Sequence, residues 1–206
     1  MKRLFLALVI MMMSAVIELK SASAESVRPL VNLRYGFGGD TVTTVENVGT
    51  YINNELQFTN DIDVKAGQGL DIGGGVLVDL DPTPVELEFT ISYFFNSDSI
   101  SNYDYTFSRI PLNALAFYKI GEHRIGGGLT YHMNTQLESD VEDREFDNAL
   151  GFCAEYVFQI EKWRIFGRYT AIEYDYDPIV YYGYQIAKGG SIDGNSFQIG
   201  GAYVFG

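Results

Sequence analysis

Beyond residue 24 the chain alternates apolar and small or polar positions in eight separate stretches. In the first, about Val27 to Phe37, Val31, Leu33, Tyr35 and Phe37 share one parity, with Asn32 and Arg34 on the other. Successive side chains of a strand point to opposite faces, so each stretch predicts a β-strand with one greasy face. The second sets Leu70, Ile72, Gly74, Val76 and Val78 against Asp71, Gly73, Gly75 and Asp79. The third sets Val85, Leu87, Phe89, Ile91, Tyr93 and Phe95 against Glu86, Glu88, Thr90 and Ser92. In the fourth, Ile110, Leu112, Ala114, Ala116 and Tyr118 oppose Arg109 and Asn113. Tyr105 and Phe107 break that parity, which predicts either a bulge near Ser108 or a strand top rising beyond the apolar zone.

The fifth stretch sets Ile125, Gly127, Leu129, Tyr131 and Met133 against Arg124, Thr130, His132 and Asn134. The sixth opposes Leu150, Phe152, Ala154, Tyr156, Phe158 and Ile160 to Gly151, Cys153, Glu155 and Gln159. The seventh opposes Trp163, Ile165, Gly167, Tyr169 and Ala171 to Arg164, Arg168 and Thr170. The last, Asn195 to Phe205, carries Phe197, Ile199, Gly201, Tyr203 and Phe205 on one face and Ser196, Gln198, Gly200 and Ala202 on the other.

The connections alternate in length. Asp79–Pro84, Lys119–His123 and Glu161–Lys162 are tight. The segment up to Gln68, Asn96–Asp104, the acidic Glu138–Asp147 and the Tyr-rich Tyr174–Gly194 are long and polar. Eight strands of roughly 10 residues with alternating long and short connections are the pattern of an antiparallel up-and-down transmembrane barrel. Closure also satisfies every backbone group without an edge, as lipid demands.

A soluble lipocalin-type barrel has the same strand count but points its greasy face inward. The composition of the faces separates the two. The polar face collects Arg34, Asp71, Glu86, Glu88, Arg109, Arg124, Glu155, Arg164 and Arg168: five Arg, four carboxylates and no Lys. Facing water, such charges need no balance. Enclosed in a narrow barrel they must nearly cancel, and Arg is the better buried partner. The apolar face ends in aromatics at Tyr35, Phe37, Tyr93, Phe95, Tyr131, Trp163, Tyr203 and Phe205, the arrangement of interfacial girdles.

The start of the chain explains how such a barrel reaches its membrane. Lys2 and Arg3 precede an apolar run from Leu4 to Ile17, and Ala22-Ser23-Ala24 follows, so residues 1–24 read as a cleaved secretory signal and 25–206 as one barrel domain. The chain carries a net charge of −13; the signal segment contributes +2 and leaves −15 on the remainder. An acidic protein of this kind repels phosphate backbones, so nucleic acid is not an expected partner. One cysteine, Cys153, excludes an intramolecular disulfide.

These residues together resemble the small eight-stranded outer-membrane barrels of the OmpX, OmpW and OmpA-barrel kind. The most specific element is Ile199-x-Gly201-x-Tyr203-x-Phe205, which matches the C-terminal signal that such proteins present to the barrel assembly machinery, although here Gly206 follows the aromatic. The resemblance implies outer-membrane localisation in a Gram-negative envelope, contact with lipid and lipopolysaccharide, and a monomer. An eight-stranded interior is about filled by its own side chains, so the expected role is structural or surface-interacting, with a plugged, charge-paired lumen. Two alternatives stand beside it: a narrow, porin-like channel for small or hydrophobic solutes, with Gly73, Gly75, Gly126 and Gly128 leaving room, and a lipid A-modifying enzyme. For the last, His132 is followed by Met133 and Asn134 where the deacylases present His-x-Ser, so no catalytic set is assigned. No cofactor is expected. The Glu138–Asp147 acids lack an EF-hand order of ligands, so no metal site is assigned, and His123 reads as solvated.

Overall fold

The eight alternating stretches pair edge to edge in chain order. The computed structural model describes residues 27–45, 49–52, 55–58, 62–100, 103–139, 143–177, 180–181, 184–185 and 189–206. Residues 1–24, where the sequence predicts a secretory signal, and Tyr182 lie outside them. The barrel strands are β1 (Val27–Gly38), β2 (Gly69–Asp79), β3 (Val85–Ile100), β4 (Tyr103–Ile120), β5 (His123–Ser139), β6 (Ala149–Ile160), β7 (Trp163–Ala171) and β8 (Ser196–Val204). Each is antiparallel to the next, and β8 returns to β1 with Leu30 opposite Val204 and Gly38 opposite Ser196. The protein is therefore an all-β, closed, eight-stranded up-and-down barrel. No helix among the described residues is long and apolar enough to cross a membrane.

The greasy parity faces outward. Val31, Leu33, Ile72, Ile91, Leu150, Phe152, Ile165 and Ile199 are all exposed on the wall, whereas Arg34, Glu86, Glu88, Arg164 and Arg168 are buried within. A barrel with aliphatic side chains outside and guanidinium groups inside is stable only with hydrocarbon around it. Aromatics pair at the two ends of the belt. Tyr35 meets Phe37 at 4.9 Å and Tyr93 stacks on Phe95 at 5.9 Å towards the long connections. Trp163 meets Tyr203 at 5.0 Å, and Tyr203 meets Phe205 at 5.0 Å, near the short turns. His123 belongs to that lower girdle: its Nδ1 lies 2.6 Å from the Tyr156 hydroxyl and its ring packs on Phe158. It is anchored by these contacts rather than simply solvated.

Both expectations for the fourth stretch meet an observation: a register shift falls between Ser108 and Ile110, and the strand top continues past the belt. Tyr105 and Phe107 keep the inward parity of Arg109 and are buried, so β4 is continuous and its top rises past the belt. The register shift lies across from it. Ser108 faces Gln136 and Ile110 faces Met133, so Arg109 stands opposite two residues, Asn134 and Thr135. Asn134 takes φ 49°, a left-handed conformation that Asn tolerates, and so absorbs the extra residue on β5.

The long connections are themselves largely strand. Thr41–Val45 pairs with Ile62–Lys65, Gly49–Ile52 with Glu55–Phe58, Glu173–Tyr176 with Gly190–Asp193, and Val180–Tyr181 with Tyr184–Gln185. Strands β3 and β4 remain paired out to Ile100 and Tyr103. Where they alternate, as in Ile62-Asp63-Val64-Lys65 and Glu173-Tyr174-Asp175-Tyr176, they do so over only four residues, too few to mark a strand in the sequence.

Candidate functional site in the barrel lumen

The lumen is filled in layers, and each layer follows from which residues take the inward parity. At the short-turn end, Arg28 donates to Asp79 at 2.8 Å and to Glu86 at 3.0 Å, while Lys119 reaches the other Asp79 oxygen at 2.8 Å. Around these, Leu30, Leu77, Leu115, Phe117, Val157, Phe166 and Val204 form a compact apolar cluster. Arg28 and Lys119 are absent from the nine charges that the sequence assigned to the interior. The signal was there: Arg28 continues the parity of Asn32 and Arg34, and Lys119 that of Leu115 and Phe117. Both lie next to strand ends, where they read as turn residues.

The middle layer is a branched ion network. Arg164 on β7 lies 3.2 Å from Glu86 and 3.4 Å from Glu88 on β3. Arg168, four residues further up β7, lies 3.5 Å from Glu88 and pairs with Glu155 on β6. Strands β3 and β7 are on opposite sides of the barrel, so these guanidinium groups bridge the lumen. Above them Arg34 pairs with Asp71 at 3.0 Å, and Ser92 donates to Asp71 while accepting from Arg34. The pairings join β1 to β2 and β3 through groups that are almost fully buried.

Arg109 and Arg124 do not join this network. Arg124 sits at the β4–β5 turn, where it donates to the Gly121 carbonyl at 2.9 Å and the His123 carbonyl at 3.3 Å. Arg109 is fully buried but forms no ion pair among the described residues. Its guanidinium lies 3.7 Å over the Phe94 ring and 5.6 Å from the rings of Phe107 and Tyr174, and it donates to the Ala66 carbonyl. The π faces and the carbonyl replace a carboxylate as its partners.

The uppermost layer is apolar. Val42, Val64, Phe94, Phe107, Leu137, Phe146 and Tyr174 form a second buried cluster, in which Phe107 meets Phe146 edge-on at 5.8 Å. Tyr174 lies beyond the belt between exposed Glu173 and Asp175; burial pushes its phenol up to about 12, so it is un-ionised at neutral pH. Its hydroxyl shares a hydrogen bond with His132 Nδ1, and the two rings stack at 5.8 Å. His132 thus acts as a bridge between the polar and apolar layers, and no serine or carboxylate joins it among the described residues. Cys153 is buried, with Sγ 3.5 Å from the Thr170 hydroxyl.

Little space remains. The gap bounded by Arg34, Asp71, Arg109, His132, Arg168 and Gln198 has no room for a water molecule. The inward glycines do not open a path either. A Cβ at Gly75 would overlap the Phe89 carbonyl, and one at Gly128 the Ala114 carbonyl. Glycine there permits close approach of neighbouring strands. Among the described residues no group of three or more His, Cys, Asp or Glu side chains gathers to hold a metal. In the acidic connection, Glu138 accepts from Gln136 at 2.8 Å and Asp143 from the Ser139 amide at 3.3 Å.

A closed wall, an apolar belt and an ionic interior define a small transmembrane β-barrel with a filled lumen. No family model matches the chain, and no curated protein matches it in sequence. Solved structures similar to it include Neisserial surface protein A, at 7% identity over 88% of this chain and 98% of that one, with a TM-score of 0.47. Outer membrane protein H from P. aeruginosa is 17% identical over 86% of this chain and 99% of that one, with a TM-score of 0.48. Ail, the attachment invasion locus protein of Yersinia pestis, is 11% identical over 87% and 97%, with a TM-score of 0.44.

Proposed function

We propose that the protein is a closed, non-enzymatic barrel of the outer membrane with a structural or surface-interaction role. The observation that carries this is the filled lumen. The Arg164–Glu88–Arg168–Glu155 network spans the barrel, and the layer around Phe107 and Tyr174 caps it on the side of the long connections. Two closures in series oppose ion flow more effectively than either alone. His132 bonded to Tyr174, without a nucleophile beside it, supports the absence of hydrolytic chemistry. The role then falls to the crown above the belt, where Asp40, Glu138, Asp143, Glu145, Asp147 and Glu173 are exposed. Contact of that crown with lipopolysaccharide phosphates requires bridging divalent cations, because carboxylates and phosphates repel.

Purified protein reconstituted in planar bilayers gives no steady single-channel steps at moderate voltage. A reproducible unitary conductance would replace this reading with the narrow channel. The belt also assigns Phe205 to the lower girdle, next to Tyr203, and we propose that both are read during assembly. Phe205→Ser lowers the steady-state amount of protein in the outer membrane several-fold, measured by fractionation and immunoblot. Unchanged levels would remove Phe205 from that role.

A further inference from the structure

Three of the long connections share one core. The first (residues 39–68) buries Val42, Val64 and Ala66 in the uppermost layer, the third (140–148) buries Phe146, and the fourth (172–195) buries Tyr174 and Ile192. Three rings hold its centre. Phe107 of β4 meets Phe146 at 5.8 Å and Tyr174 at 6.3 Å, and Phe146 meets Tyr174 at 6.4 Å, all edge-on. Polar contacts then tie each connection to another. Asp40 donates its amide to the Asp193 carbonyl at 2.7 Å, and its carboxylate accepts the Asp193 amide at 3.0 Å. The Asp147 amide donates to the Asp175 carbonyl at 2.8 Å, and the Arg144 guanidinium stands 5.2 Å over the Tyr176 ring. Arg109 joins the first connection to the fourth from below, donating to the Ala66 carbonyl with its guanidinium 5.6 Å from the Tyr174 ring.

We infer that the first, third and fourth connections form one cooperative lid over the lumen, which opens and closes as a unit on a seat made by Arg109 and Phe107. Their own ladders are too short to hold them folded separately. Thr41–Val45 with Ile62–Lys65 and Glu173–Tyr176 with Gly190–Asp193 make four pairs each, and an isolated two-stranded ladder is marginal in water. The third has only Arg144–Glu145 against β5. Each connection is therefore ordered by a cluster to which it contributes a few side chains, and removing one contributor loosens the other two. A contact made at one connection is felt at the others, and that coupling is reciprocal. The wall stays closed when the lid opens, because its ladders run strand to strand around the barrel without passing through the crown. The inference rests on the packing above the belt and is independent of whether the barrel conducts.

The test is limited trypsin digestion of the full chain folded in detergent, with the cut sites mapped by mass spectrometry. Each of the three connections carries one trypsin site, at Lys65, Arg144 and Lys188, and Lys162 in the turn between β6 and β7 reports on the wall. Tyr174→Ala, a change in the fourth connection, speeds cutting at Lys65 and Arg144 by about tenfold or more. Truncating a buried aromatic raises the open population, which the protease samples. Cutting at Lys162 stays at the parent rate. Val64→Ala, a smaller truncation in the first connection, speeds cutting at Arg144 and Lys188 several-fold, and it decides the matter if Tyr174→Ala assembles poorly. Acceleration confined to the connection that carries the substitution would overturn the inference, since connections that open separately behave in that way. So would an equal rise at Lys162, which makes crown and wall a single unfolding unit.

Discussion

Replacing Arg168 with methionine lowers the stability of the folded barrel by about 3–5 kcal/mol, read as a fall in the urea midpoint in detergent. The guanidinium pairs with Glu155 and Glu88, and all three side chains are almost fully buried. Methionine keeps much of the volume but strands the Glu155 carboxylate and leaves Glu88 with Arg164 alone. The loss is therefore the cost of stranded charge rather than of lost packing. Adding Glu155→Gln to Arg168→Met recovers part of the stability, because it removes the stranded carboxylate. A loss within about 1 kcal/mol, as for an exposed pair, would mean that water reaches the network and that the lumen is open.

Ile91→Arg tests the other face. Ile91 is 55% exposed near the middle of the lipid-contacting part of β3, between Phe89 and Tyr93. In a bilayer an arginine at that depth destabilises the barrel by about 2–4 kcal/mol, and the folded fraction recovered in liposomes falls accordingly. The same outward-facing wall in water would respond in the opposite sense, since the charge would replace an exposed aliphatic side chain; a lipocalin-type barrel, with this face inward, is already set aside by the exposure of Ile91. The two variants together establish which surface is dry and which is ionic.

Periodicity carried the wall. Glu86, Glu88, Thr90 and Ser92 against Val85, Leu87, Phe89 and Ile91 is a pattern that only a strand with two unlike surroundings produces, and the closed sheet follows from eight such strands. The near balance of Arg34, Arg109, Arg124, Arg164 and Arg168 with Asp71, Glu86, Glu88 and Glu155 indicated which face was enclosed. Parity is blind, however, to chemistry that repeats on both faces. Phe94, Phe107, Leu137 and Tyr174 point inward yet look in sequence like wall residues, so the apolar cap above the ionic layers had no signature.

Arg109 shows most clearly where the boundary falls. Its parity placed it inside the barrel, which is a local property of a strand and follows from its neighbours in the chain. Its partners come from β3, from the turn after Ile62–Lys65 and from the ladder that begins at Glu173, segments spread over about half of the chain. Which of them reaches Arg109 depends on strand tilt, on the extra residue at Asn134 and on how the long connections fold back over the mouth. The sequence by itself determined the strands, their two faces and the closed wall, because alternation is written in consecutive residues. Only the tertiary structure decided that the lumen holds an ion network below and an aromatic layer above, because partnership across a barrel is set by geometry between strands distant in the chain.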